Sequence, residues 1–267
     1  MEYHIIDAFT EKLFCGNPAG VCLPDSWLSD SVMQSIAAEN NLSETAFLVK
    51  QENGNYGLRW FTPTLEIDLC GHATLASAFV LFGHREKNAH ELIFDTASGE
   101  LIVTRDNEFL CLDFPATPAE KCPTYPSIIK TFDLEPLTVY KSIDFMVLVE
   151  DEKTLRQLSP DFTALKHLKA EAELDHDRFG VIVTAAGLQC DFVSRYFAPD
   201  AGVPEDAVTG RAHCTLTPFW SERLNKKIMD ARQLSARGGV LRCEDCNERV
   251  KISGKAVRYL RGNIELH

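Results

Sequence analysis

The sequence predicts an α+β fold built from two similar halves, and three observations carry that prediction. Short runs of alternating apolar and polar residues, bounded by turn residues, recur along the chain with few helical periods among them. A break from Pro115 to Ser127, with four prolines and few large apolar residues, falls near the middle. On either side of it one plan is written twice, as "WFTPTLEIDLCGHATLASAF" and "YFAPDAGVPEDAVTGRAHCTLTPF". Phe61 answers to Phe197, Pro63 to Pro199 and Gly71 to Gly210, with three extra loop residues in the second copy. The halves are drawn as 1–116 and 117–267, with the last strand free to return to the first half.

Each element follows from local pattern. "EYHIIDAF" and "AGVCLP" read as strands flanking a turn at Cys15-Gly16-Asn17-Pro18. "DSWLSDSVMQSIAAENN" reads as a capped helix with an apolar face at Val32, Ile36 and Ala37. "SETAFLVKQ", "YGLRWFTP", "HELIFDTASGELIVTRD" and "FLCLDFP" continue as strands, so the first half is mostly β around a helix opening near Gly71. The proline-rich segment reads as a linker. Beyond it "LTVYKSIDFMVLVED", "GVIVTAAG" and "CDFVSRYFAP" are strands, then a helix, the hairpin-like "GGVLRCEDCNERVKISG" and the strand "AVRYLRGNIEL".

Composition excludes several function classes. With 267 residues there is ample material for a core. The net charge of -12 offers no broad basic surface to nucleic acid or anionic membranes. No apolar run approaches the ~20 residues of a membrane span, and Met-Glu-Tyr-His lacks a signal-peptide pattern. A cytoplasmic protein is expected, whose nine cysteines, in apolar contexts such as Val21-Cys22-Leu23, are reduced core thiols. No sequence of the form GxGxxG or GxxxxGK[ST] follows a strand, so no nucleotide cofactor is expected. Cys243-Glu244-Asp245-Cys246 has the spacing of half a zinc site but stands without a second pair, and no metal site is assigned.

The repeated strand-loop-helix units place Gly71 and Gly210 at two helix entrances. Such N-termini offer free backbone N–H groups and the positive end of the helix dipole, and two of them facing one cleft between the halves suit a carboxylate ligand. The plainer reading is that both glycines only permit tight turns.

The segments "FCGNPAGVC" (14–22), "NNLSETAFL" (40–48), "RWFTPTLEIDLCGHATLASA" (59–78), "FAPDAGVPEDAVTGRAHC" (197–214) and "SARGGVL" (235–241) together resemble the phenazine-biosynthesis isomerase (PhzF-like) family, within the diaminopimelate epimerase-like superfamily. The resemblance implies two pseudo-symmetric halves, each a β-barrel-like sheet around a central helix, a cofactor-free active site between them, and a homodimer. It also places the catalytic acid/base on Glu44. The residues agree with that role: proton transfer at a carbon beside a carboxylate needs a held base, donors for the developing oxyanion and little water, and the apolar strand around Glu44 favours a raised carboxyl pKa. By the same carry-over His72 and Asp206 flank the pocket, and Gly71 and Gly210 supply backbone donors. Their plainer roles are a satisfied loop histidine and a helix-capping aspartate. Asn17 belongs to a motif of the superfamily, while Asn-Pro is equally a turn signature.

One position departs from the family pattern. Where Thr-Gly-Ser-Ala-His is usual, this chain reads Thr209-Gly210-Arg211-Ala212-His213. A long cation there either binds a second acidic group of a substrate, pairs with Asp206, or stands in solvent. Function is thus expected to be a cofactor-independent isomerase or epimerase of a small carboxylic acid. The alternatives are a non-catalytic binding protein of the same fold and a thiol-dependent racemase using Cys70, whose counterpart, Thr209, is not a thiol.

Overall fold

The computed structural model describes residues 1–173, 179–199 and 202–266. Asp200 and Ala201, in the second repeated segment, lie outside the described residues. The chain forms two units, Met1–Phe114 with Gly239–Leu241 and everything from Lys251 onward, and Pro115–Gly238 with Arg242–Val250.

The first unit opens with β1 (Glu2–Ala8) and β2 (Asn17–Leu23), paired antiparallel, followed by α1 (Asp30–Asn40). Ser29 caps α1 by accepting from the Val32 N–H, and Asn41 ends it in the left-handed region at φ 49°. β3 (Glu44–Lys50) then runs parallel to β2 and antiparallel to β4 (Tyr56–Phe61), which pairs with the short β5 (Glu66–Ile67). Helix α2 (Gly71–His84) comes next, then β6 (Glu91–Thr96), parallel to β4, β7 (Gly99–Asp106) and β8 (Phe109–Pro115). The strand Ala256–Asn263 pairs antiparallel with the other edge of β1.

Ten of the fourteen residues of α2 are buried, so it has no solvent face of the usual width. It packs against β1, β2, β3 and Ala256–Asn263 as the centre of its unit. Its buried hydroxyls are satisfied within the helix: Thr74 donates to the Cys70 carbonyl and Ser77 to that of Ala73. Leu75, Leu81 and Phe82 supply apolar surface there, each worth about 2 kcal/mol when fully buried.

The second unit comprises β9 (Glu120–Cys122), α3 (Pro126–Phe132), β10 (Thr138–Lys141), β11 (Phe145–Leu148), the short helices α4 (Glu152–Gln157), α5 (Phe162–Leu165) and α6 (Leu168–Glu171), β12 (Val181–Ala186), β13 (Phe192–Ala198), β14 (Val203–Asp206), α7 (Gly210–Leu224) and β15 (Ile228–Gln233). Its pairings reproduce those of the first unit. β11 is parallel to β12, β12 antiparallel to β13, β13 antiparallel to β14 and parallel to β15, and the central helix lies between the last two in sequence. The registers agree residue by residue. Thr45 opposes Phe61 as Val181 opposes Phe197, and Gly20 aligns with Thr45 as Phe145 aligns with Val181. Glu44 therefore corresponds to Gly180, Ala19 to Asp144, Trp60 to Tyr196 and His72 to Arg211.

Three expectations change. Asn17-Pro18 is the start of β2 rather than a turn; the loop it follows reverses with Phe9, Phe14 and Gly16 in the left-handed region, and a Cβ on Gly16 would meet the Ala8 carbonyl at 2.1 Å. The apolar face of α1 turns on Met33, Ile36 and Ala37, with Val32 exposed. The proline-rich segment is no plain linker: it contains β9, and Pro126 starts α3 at a position where its missing N–H costs nothing. Thr117 in it has a structural task, because Pro218 inside α7 cannot bond the Cys214 carbonyl, and the Thr117 N–H takes that carbonyl at 3.1 Å.

Candidate functional site

Three backbone features of the first unit bring its candidate residues together. β3 begins at Glu44, the fourth residue beyond the end of α1, which places that residue at the end of the strand. α2 begins at Gly71 with Cys70 as an extended N-cap, so His72 projects from the first turn. Asn17 is fully buried at the start of β2. His72 Nε2 lies 3.0 Å from Glu44 Oε2, with the two side chains only 6% and 14% exposed. The two form a close ion pair, and neither atom has a further hydrogen-bond partner. On the other side of the ring, Nδ1 is 3.3 Å from Asn17 Nδ2 and 3.5 Å from Cys70 Sγ.

The electrostatics follow from that geometry. Burial works against protonation of His72, yet its neighbours, the Cys70 sulfur and the Glu44 carboxylate, raise its pKa well above the ordinary value. Burial first and the Glu44 charge second push the Cys70 thiol up. A thiol pushed up stays protonated, so the charge that holds the imidazolium is that of Glu44. The pair is thus a carboxylate able to accept a proton beside an imidazolium able to give one. No side chain makes a capping hydrogen bond at the start of α2, where the positive end of the helix dipole favours an anion.

In the second unit Gly210 is the first residue of α7 and Arg211 the second. Arg211 pairs with Asp144, not with Asp206: its Nη2 donates to Asp144 Oδ1 at 2.8 Å and to the Tyr196 hydroxyl at 2.7 Å. Asp144 is 2% exposed and also accepts from the Gly180 N–H at 2.8 Å. Burial and then the Asp144 charge push the Tyr196 hydroxyl far above its ordinary pKa, so it remains a donor. The guanidinium is fixed through Nη2, and 41% of the side chain is exposed. Asp206 ends β14 and accepts from the Thr209 hydroxyl at 2.6 Å, which ties the strand to the helix entrance. Gln233 completes that entrance: its Oε1 accepts from the Thr209 N–H, and its Nε2 donates to the Asp206 carbonyl, both at 2.8 Å.

Glu44, His72, Gly71 and Asn17 are therefore assembled in the first unit, and Asp206, Gly210 and Arg211 in the second. Asp144, Tyr196 and Gln233 escape the sequence reading. Only Asp144 left a signal, an acidic residue directly before the apolar run "FMVLV", and it becomes legible only once the strand register is known.

Comparison with known proteins bears on the family and the fold. Residues 6–262 match the profile of the family described as phenazine biosynthesis-like protein (PhzC-PhzF). Curated relatives include two uncharacterized isomerases of Pseudomonas aeruginosa, one 48% identical over 98% of this chain and 97% of its own, the other 49% identical over 100% and 99%. Among solved structures, a phenazine biosynthesis protein of the PhzF family from Enterococcus faecalis is 46% identical with a TM-score of 0.93, covering 99% of each chain. A hydroxyproline epimerase from Agrobacterium vitis, 10% identical with a TM-score of 0.63 over 98% of this chain and 91% of its own, shares the fold alone. Among the described residues no helix is long and apolar enough to cross a membrane. A match that spans nearly every element, from β1 to the closing strand Ala256–Asn263, means that the chain belongs to the phenazine biosynthesis-like (PhzC-PhzF) family, on the diaminopimelate epimerase-like fold.

Proposed function

We propose that this protein is a cofactor-independent isomerase or epimerase that moves a proton on a small carboxylic acid, with Glu44 as general acid/base. The observation that carries the reading is the contact between Glu44 and His72 at the entrance of α2. The Glu44 carboxylate removes the proton from the carbon beside the acid group and returns it to the product. His72, as imidazolium, supplies a proton or a charged hydrogen bond where negative charge develops. Gly71 at the helix entrance holds the substrate carboxylate, and Asn17 fixes the ring of His72, its amide able to face Nδ1 with either nitrogen or oxygen. The relatives named isomerases support this class of reaction.

In the second unit Asp206 and Gly210 are proposed to bind substrate. Arg211, its corner held by Asp144 and Tyr196, is proposed to bind a second acidic group. The reading extends to a cytoplasmic homodimer. Exchange of a substrate C–H in deuterated water, followed by NMR across a panel of amino, hydroxy and unsaturated acids, tests it. The expected result is exchange by the wild type and none by Glu44→Gln.

A second reading has one observation in its favour. Cys70 Sγ lies 3.5 Å from a histidine, the arrangement in which an imidazole activates a thiol. In a thiol racemase Cys70 is the base, and its replacement abolishes exchange.

A further inference from the structure

The geometry points to Glu44, Cys70 and His72 as a capture site for a thiophilic divalent cation, with Zn2+ the ion whose ligand preferences fit. Each side chain offers one ligand atom, and the three atoms lie within 4.8 Å of one another. Carboxylate oxygen, imidazole nitrogen and thiolate sulfur are the donors zinc takes, and three protein ligands leave its fourth position open.

A second observation is independent of this proximity. Glu44 Oε2 and His72 Nε2 are buried and without hydrogen-bond partners although they are 3.0 Å apart. Buried polar atoms normally have several partners, and here each has only the charge of the other, which leaves room for a ligand that both can hold. The spacing suits an ion. Zinc–ligand bonds of about 2.0–2.3 Å in a tetrahedron imply ligand-to-ligand edges of roughly 3.2–3.7 Å, close to the 3.0 Å from Glu44 Oε2 to His72 Nε2, while the 3.5 Å from Cys70 Sγ runs to the other ring nitrogen, Nδ1. The sulfur faces Nδ1 and the carboxylate Nε2, so closing all three on one ion takes a side-chain rotation of one of them. Binding at Nε2 leaves the ring proton on Nδ1, and Asn17, whose Nδ2 stands 3.3 Å away, becomes an outer partner once its amide turns to present the oxygen as acceptor. The Cys70 thiol proton is released to solvent as the metal–sulfur bond forms.

An ion on Glu44 occupies the carboxylate that the proposed reaction needs, so Zn2+ acts as a reversible inhibitor. That consequence rests on the isomerase reading above; the site itself does not. The test titrates the reduced, full-length protein with zinc chloride against a chromophoric chelator. Wild type is expected to take up one equivalent that Cys70→Ala and His72→Gln bind at least tenfold more weakly, while Cys246→Ser, which removes one thiol of the Cys243-Glu244-Asp245-Cys246 segment, retains it. Equal binding by wild type and Cys70→Ala overturns the site. Should Cys70→Ala fold poorly, cobalt(II) loading of the wild type gives a separate readout: a thiolate-to-metal charge-transfer band supports the site, and its absence overturns it. Tight, Cys70-dependent binding that leaves substrate exchange untouched supports the site and overturns Glu44 as the base.

Discussion

His72 and Arg211 occupy the same place in their respective units: each is the second residue of the central helix, and each meets a carboxylate, Glu44 at 3.0 Å and Asp144 at 2.8 Å. The carboxylates come from different strands. The position equivalent to Glu44 is Gly180, where a Cβ would lie 2.2 Å from the Tyr196 hydroxyl, so no side chain fits. The acid comes instead from the end of the neighbouring strand, at Asp144. Tyr196 and the Gly180 N–H then satisfy Asp144, whereas Glu44 Oε2 stays without a hydrogen bond. The duplication thus surrounds one ion pair with further hydrogen bonds and leaves the other without them.

Gly180 gives a direct check of that account. Gly180→Ala is expected to destabilise the protein by about 1–3 kcal/mol, because the new methyl group meets the buried Tyr196 ring as well as its hydroxyl. Denaturant unfolding measures it. A loss below about 0.5 kcal/mol would show that the ring moves aside and that Gly180 does not dictate the source of the carboxylate.

Cys70 separates the two catalytic readings. If Glu44 is the base, Cys70→Ser keeps at least roughly a tenth of the exchange rate, a barrier change under about 1.4 kcal/mol. Loss of several orders of magnitude, with Glu44→Gln still active, would transfer the chemistry to the thiol.

Much of this was legible before the structure. The helices entered at Gly71 and Gly210 and the apolar strand that begins at Glu44 follow from local pattern, because turn residues and helix starts are local signals. What was not legible is non-local. Asn-Pro reads as a turn from propensity, and only the left-handed residues at Phe9, Phe14 and Gly16 show that the reversal happens earlier. The partner of Arg211 was sought at Asp206, five residues away in sequence, yet Asp144, sixty-seven residues away, reaches it through the pairing of β11, β12 and β13.

His213 makes stability depend on pH. Its Nδ1 donates to the Thr209 carbonyl at 2.8 Å, the same four-residue bond that Thr74 makes to Cys70 at the equivalent position. Burial lowers its pKa to about 4. A folded value below the unfolded one, about 6.5, means that the unfolded chain binds the proton first. Stability is therefore full above about pH 6.5 and falls as the pH drops toward about 4, by about 2 kcal/mol at pH 5. His213→Thr, which preserves the bond, is expected to flatten that slope in urea titrations at pH 7, 6 and 5. An unchanged slope would assign the acid sensitivity elsewhere.

Arg211 carries the prediction with most bearing on substrate. A cation in the first turn of a helix is opposed by the helix dipole by roughly 0.3–1 kcal/mol. Asp144 offsets that cost in the structure, but the side chain is still 41% exposed, and its guanidinium has N–H groups beyond the Nη2 that Asp144 and Tyr196 use. Removing it has two separable consequences. Arg211→Ser leaves the buried Asp144 without its cation, a loss of about 1–2 kcal/mol once the exposure of the pair is allowed for, and this appears in unfolding whether or not a ligand is present. Loss of a charge-assisted contact to a second acidic group weakens dicarboxylate binding by tenfold or more, about 1.4 kcal/mol, and leaves monocarboxylates unaffected or better tolerated. Side-by-side calorimetric titrations of mono- and dicarboxylic acids with wild type and variant make the comparison. If both acid classes bind both proteins equally while the unfolding loss persists, Arg211 is a clamp for Asp144 and takes no part in choosing the substrate.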